Sequence, residues 1–135
     1  MRNNEKEKKP TARMLLGRRG EDIACRFLES LGHRIVRRNY RSGHLEIDII
    51  STKVNGVHVV EVQSRVAPVA AAPEENVTPL KQKKIANAAL RYLNNSKDPV
   101  ISGGMDVSFD IVAVTFDGGK TNVEWFPDAF IPIYV

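Results

Sequence analysis

The chain has one cysteine, Cys25, among its 135 residues. A lone thiol excludes an internal disulfide framework and a multi-cysteine zinc site. A reducing, cytoplasmic setting is the expectation that follows. Nor does any stretch approach the roughly 18 consecutive apolar residues of a membrane-spanning helix. The opening residues, MRNNEKEKKP, have no apolar segment behind their charges, so they are not read as a secretory signal. Glycine never clusters into a Walker-type phosphate loop, and His33, His44 and His58 lack metal-ligand spacing. Aromatic residues make up 7% of the chain, and Trp125 and Phe126 read as core rather than as a base-stacking platform.

What is present is ordinary globular composition, 42% hydrophobic and 27% charged, enough for one core. The expected organisation is a basic, flexible arm over residues 1–10 and a single domain over 11–135, without repeats. The net charge of +4 is uneven: residues 1–19 carry +5, and the remainder −1. Two stretches are basic and free of acids. One holds Arg34, Arg37, Arg38 and Arg41; the other holds Lys81, Lys83, Lys84 and Arg91. Such segregation points to a phosphate backbone as partner, or simply to two solvated faces.

Periodicity predicts a helix from Thr11 to Leu31, with Leu16, Gly20, Ile23, Phe27 and Leu31 recurring at spacings of three or four. Beside that stripe runs another, Gly17, Glu21, Ala24 and Leu28. Strands are expected over 33–40, 45–53 and 57–65, with Asn55-Gly56 as a hairpin turn. An Ala- and Pro-rich loop follows over 66–76. Thr78 and Pro79 then open a second helix, to about Asn94, whose apolar face is Ile85, Ala88, Ala89 and Tyr92. A loop over 97–104 leads to strands over 106–116 and 121–126, joined at Asp117-Gly118-Gly119. The apolar end, Phe130 to Val135, either caps the core or forms a dimer contact. The order is α-β-β-β-α-β-β, an α/β fold with a mixed central sheet flanked by helices.

The second and third strands carry acids among apolar residues, in HLEIDII and VVEVQSR. By strict alternation Glu46 and Asp48 share one face, and Ile47 and Ile49 the other. A two-residue turn at Asn55-Gly56 would set Asp48 opposite Gln63 and Ile50 opposite Glu61. Asp48 and Glu61 would then be diagonal neighbours within reach of one ion. Charge among apolar strands needs a partner. A divalent cation such as Mg²⁺ is one solution; a solvent-facing surface with Arg65 as counter-ion is the other. Lys81 lies on the stripe of Ile85, Ala88 and Tyr92 and should point towards the sheet.

These residues resemble a known family. The pattern runs from Gly17-x-x-Gly20-Glu21-x-x-Ala24 through Asn39-Tyr40-Arg41, Glu46-Ile47-Asp48-Ile49-Ile50 and Val60-Glu61-Val62-Gln63-x-Arg65. The Lys81 helix, Phe109-Asp110-Ile111-Val112 and Ala129-Phe130 complete it. The likeness is to the YraN-like family of small bacterial proteins and spans residues 17 to 130. It implies a restriction-endonuclease-like core of the PD-(D/E)xK superfamily and a Mg²⁺- or Mn²⁺-dependent endonuclease acting on DNA. Asp48 and Glu61 would be the metal ligands, completed by Glu21. Gln63 stands where the superfamily has its lysine; it would position water, with Lys81 or Arg65 supplying the missing cation. Arg37, Arg38, Arg41, Arg65, Lys83 and Lys84 would hold phosphates. Leu45 and Ser108 also depart from the pattern, standing where Gly and Arg are usual. The competing expectation is a catalytically inactive nuclease-fold protein that binds nucleic acid or a protein partner.

Overall fold

Thr11 caps the first helix through its hydroxyl, which accepts the Met14 N–H at 3.1 Å. Gly32, at φ 93°, ends it. The computed structural model describes residues 9–54, 56–98 and 104–131. Its elements are α1 (Ala12–Ser30), β1 (Arg34–Ser42), β2 (Leu45–Lys53), β3 (Gly56–Val66), a 3-10 turn (Pro73–Asn76), α2 (Pro79–Asn95), β4 (Asp106–Asp117) and β5 (Lys120–Phe126). The sheet order is β1-β2-β3-β4-β5. Only β3 and β4 run parallel, and α2 is the crossover that a parallel pair requires. The chain therefore has a mixed α/β fold.

One helix covers each face of the sheet. Ile85, Ala88, Ala89 and Tyr92 of α2 pack on Ile47, Val57, Val59, Phe109 and Ile111. Ala24, Cys25 and Leu28 of α1 pack on Ile49, Val60, Val112 and Val114. Buried on both faces, β3 and β4 read as near-continuous apolar runs. The α2 face is the one its periodicity predicts. The α1 face is rotated: its buried residues are Gly20, Glu21, Ala24, Cys25 and Leu28. Leu16 and Ile23 lie at the margin of the contact. Gly20 is the reason, since a Cβ there would overlap the Ser64 side chain. The bare backbone lets α1 approach β3 closely, and that places Glu21 against the sheet.

The β2–β3 register differs from expectation by two residues. Lys53 pairs with Gly56, Ile50 with Val59 and Ile49 with Val60. The turn is thus one residue earlier, with Val54 in the left-handed region at φ 55°. Asn55 itself lies outside the described residues. A two-residue slip preserves faces, but it brings Asp48 level with Glu61 rather than diagonal to it. Alternation also breaks at Asp48. Ile47 packs under α2 while Ile49 packs under α1, so the two do not share a face. Ala129 and Phe130 pack against the α2-side core, as expected of the tail. Residues 1–8, 99–103 and 132–135, which include most of the basic arm, part of the 97–104 loop and the end of the apolar tail, lie outside the described residues.

Candidate active site

Pairing between β2 and β3 stops at Ile49 and Val60. Immediately past that point the Asp48 side chain enters the gap, and its Oδ2 accepts the Val62 N–H at 2.8 Å. The backbone donor freed by the parting strands is thereby satisfied. Glu61, buried on β3, faces Asp48 closely enough for a carboxyl–carboxyl hydrogen bond. Burial, together with the Glu61 and Glu21 charges, pushes the Asp48 carboxyl up to about 8, against the pull of the Val62 N–H. Charge on one of two adjacent carboxylates disfavours charge on the other.

Glu21 faces Asp48 from the α1 side, across a cleft whose lining does not include Glu61. The Glu21 Oε1 accepts Asn39 Nδ2 at 2.9 Å and Arg38 Nε at 3.2 Å. Asn39 reaches it from a left-handed backbone, φ 52°, which asparagine tolerates. Burial nevertheless outweighs those bonds and raises the Glu21 carboxyl. Glu21, Asp48, Glu46, Asn39 and Ser64 line one cleft of about 230 Å³. Glu46 and Asn39 were not singled out as site residues from the sequence; the i, i+2 spacing of Glu46 to Asp48 was the available signal. No three His, Cys, Asp or Glu side chains among the described residues already form a metal cage. The donors offered are oxygens only, the kind a hard divalent cation takes.

Lys81, in the first turn of α2, makes an ion pair with Glu61. Gln63 is turned elsewhere: its Nε2 donates to the Pro73 carbonyl at 2.8 Å, and its Oε1 accepts from Asn76 Nδ2 at 3.4 Å. Arg65 donates to the Ala71 carbonyl at 2.9 Å and to Thr115 Oγ1 at 3.4 Å. Its guanidinium thus holds a loop. The other basic residues divide in two. Arg38 pairs with Glu21 and Asp22, and Arg41 with Glu46 at 3.6 Å. Lys83 and Lys84 are exposed, Lys84 beside His44, Glu46 and Lys81 in a second cleft of about 340 Å³. Arg37 stacks over Tyr40 at 5.6 Å.

A buried polar cluster elsewhere on the sheet was given no role from the sequence, although Asp110 belongs to the recurring pattern. Asp110 is wholly buried and accepts from the Trp125 Nε1–H, the Asp128 N–H and the Ser108 hydroxyl, with His58 Nδ1 at 2.7 Å. The ring of His33 lies edge-on to that of His58, with centroids 4.6 Å apart. Burial and the neighbouring His58 charge lower the His33 imidazole to about 4.

These shifts set a pH dependence. Asp48 is raised from 3.8 to about 8, so the folded form holds its proton more tightly. Its stabilising contribution is complete below pH 4 and is lost as pH rises towards 8. His33 is lowered from 6.5 to about 4, so its contribution runs the other way and is complete above 6.5. The two slopes oppose each other between pH 4 and 6.5, and above that His33 no longer offsets Asp48. Metal-free protein should therefore lose stability between pH 6.5 and 8, by up to about 1.4 kcal/mol per pH unit. Denaturant melts at the two pH values read this, and saturating Mn²⁺ should flatten the loss. A metal-free protein equally stable at both would contradict the assignment.

Residues 20–114 match the family model described as "Uncharacterised protein family UPF0102". A UPF0102 protein of Chloroherpeton thalassium is 44% identical, over 78% of this chain and 79% of the relative. Another, of Anaeromyxobacter dehalogenans, is 38% identical over 87% and 85%. A third, of Bacteroides thetaiotaomicron, is 36% identical over 87% and 93%.

Proposed function

The chain belongs to the UPF0102 family, and from the geometry above we propose that it is a metal-dependent nuclease hydrolysing DNA phosphodiester bonds. The fold would be the restriction-endonuclease-like core of the PD-(D/E)xK superfamily. One observation carries the reading: Asp48 and Glu61 meet where β2 and β3 part, and burial, with the Glu61 charge beside it, raises the Asp48 carboxyl. Asp48 and Glu61 would hold Mg²⁺ or Mn²⁺, with Glu21 reaching it from α1. The bound ion would polarise a phosphate oxygen and lower the pKa of a coordinated water.

The chain's own residues then have distinct tasks. Asp48 and Glu61 would hold the cation as carboxylates. Lys81, held at Glu61, offers ammonium donors to the charge that develops on phosphate oxygens, which is where preorganised donors count most. Lys83, Lys84 and Arg41 hold flanking phosphates of the backbone as point charges. Lys81→Met should lower the metal-dependent cleavage rate about 100-fold while leaving Mn²⁺ uptake intact. Timed digestion of duplex, single-stranded and branched DNA, with calorimetry in parallel, measures both. A wild-type protein that neither takes up Mn²⁺ nor cuts any of these substrates would sink the proposal.

A second reading has its own support. The half-motif lacks its lysine at Gln63, and no three-ligand group is preassembled among the described residues. On that reading the protein binds nucleic acid without cutting it. Its DNA affinity would then fall with salt and ignore Mn²⁺.

A further inference from the structure

Glu61, Gln63 and Arg65 alternate along one face of β3 and grip the following segment in reverse order. Glu61 holds Lys81; Gln63 holds Pro73 and Asn76; Arg65 holds Ala71. The 3-10 turn Pro73–Asn76 is thereby tied down directly ahead of α2. Pro73 and Val77 are buried beneath it. Thr78 then caps the helix, its Oγ1 accepting the Lys81 N–H at 3.3 Å. Between Asn76, the near end of the Gln63 tether, and Lys81 lie only four residues, Val77 to Leu80.

We infer that Gln63 is a positioning residue, which acts through the Pro73–Asn76 turn to set the Lys81 ammonium against Glu61. Both ends of its amide face that turn, so orienting water is not its task. The catalytic consequence rests on the nuclease reading above, but the positioning can be measured without it. An amide suits the position because it donates to one backbone carbonyl and accepts from Asn76 at once. Lysine could do only the first.

A double-mutant cycle on Gln63→Leu and Lys81→Met tests this. Leucine keeps the buried volume and removes both bonds. In metal-free protein at pH 8, Lys81→Met should lower the melting temperature by about 3 °C in the wild-type background. In the Gln63→Leu background the same change should cost less than about 1 °C, because the ion pair is already displaced. In cleavage assays with Mn²⁺, Gln63→Leu should slow turnover about 10-fold with little change in KM. The double variant should be no slower than Lys81→Met alone, since a residue acting through Lys81 has nothing left to act on.

Additive effects in the thermal cycle would overturn the positioning role. If Gln63→Leu fails to fold, Asn76→Ala removes one of the tether's two bonds from the exposed side and enters the same cycle, with a smaller coupling of the same sign expected. A wild-type protein that never cleaves, yet shows the thermal coupling, defeats the nuclease reading and leaves the positioning standing.

Discussion

Asp48→Asn should abolish Mn²⁺ uptake and DNA cleavage while making the metal-free protein more stable at pH 8. The two effects have one cause. Asp48 is half-buried beside Glu61, and its ionisation is unfavourable unless a cation arrives. Asparagine keeps an oxygen that accepts the Val62 N–H and removes the charge. Cleavage should fall by about 1,000-fold or more, since that needs the loss of only about 4 kcal/mol of transition-state stabilisation. Melting temperature at pH 8 should rise by about 5 °C. Strain held at a working site is commonly exchanged for stability in this way. Calorimetric titration and thermal melts on one preparation measure both, and a variant that still binds Mn²⁺ would remove Asp48 from the site.

The second large effect concerns folding alone. Asp110→Ala should destabilise the protein by about 3–5 kcal/mol, seen as a fall of roughly 15 °C in melting temperature. The wholly buried carboxylate gathers Trp125, His58, Ser108 and the Asp128 backbone. Burial alone would raise its pKa; the bonds from His58, Ser108 and the Asp128 N–H outweigh burial and hold it low. Alanine leaves three donors and an imidazole facing a void. Trp125 fluorescence should shift in the folded fraction. A melting point within 2 °C of wild type would mean that the cluster contributes little. Ser108 is one of those donors.

How much was legible depended on the range of the interactions. The α2 face was readable because Ile85, Ala88, Ala89 and Tyr92 recur at helical spacing and all are buried. Helix α1 was read with its face rotated. Counting apolar residues favours Leu16, Ile23 and Phe27, whereas the closest contact is made by Gly20, which has no side chain to count. Asp48 and Glu61 were legible as neighbours, but the register that sets them level rather than diagonal lies two residues from the expected one. That register was set by Val54 adopting a left-handed backbone, a conformation rare for a β-branched residue. Gln63 and Arg65 looked like site residues because they share a face with Glu61. Their partners lie in a loop whose 3-10 turn carries no periodicity, so the sequence held no sign that those side chains were already engaged.

The charged groups of the centre are drawn from both sides of the sheet: Glu21 comes from the α1 layer, and Lys81, the counter-ion of Glu61, from the α2 layer. The layers communicate at the place where β2 and β3 separate. A polyanion engaging this centre must therefore lie across the rim of the sheet, straddling it, rather than rest on either broad face. Whatever ion settles there would act as a rivet through the two helical layers.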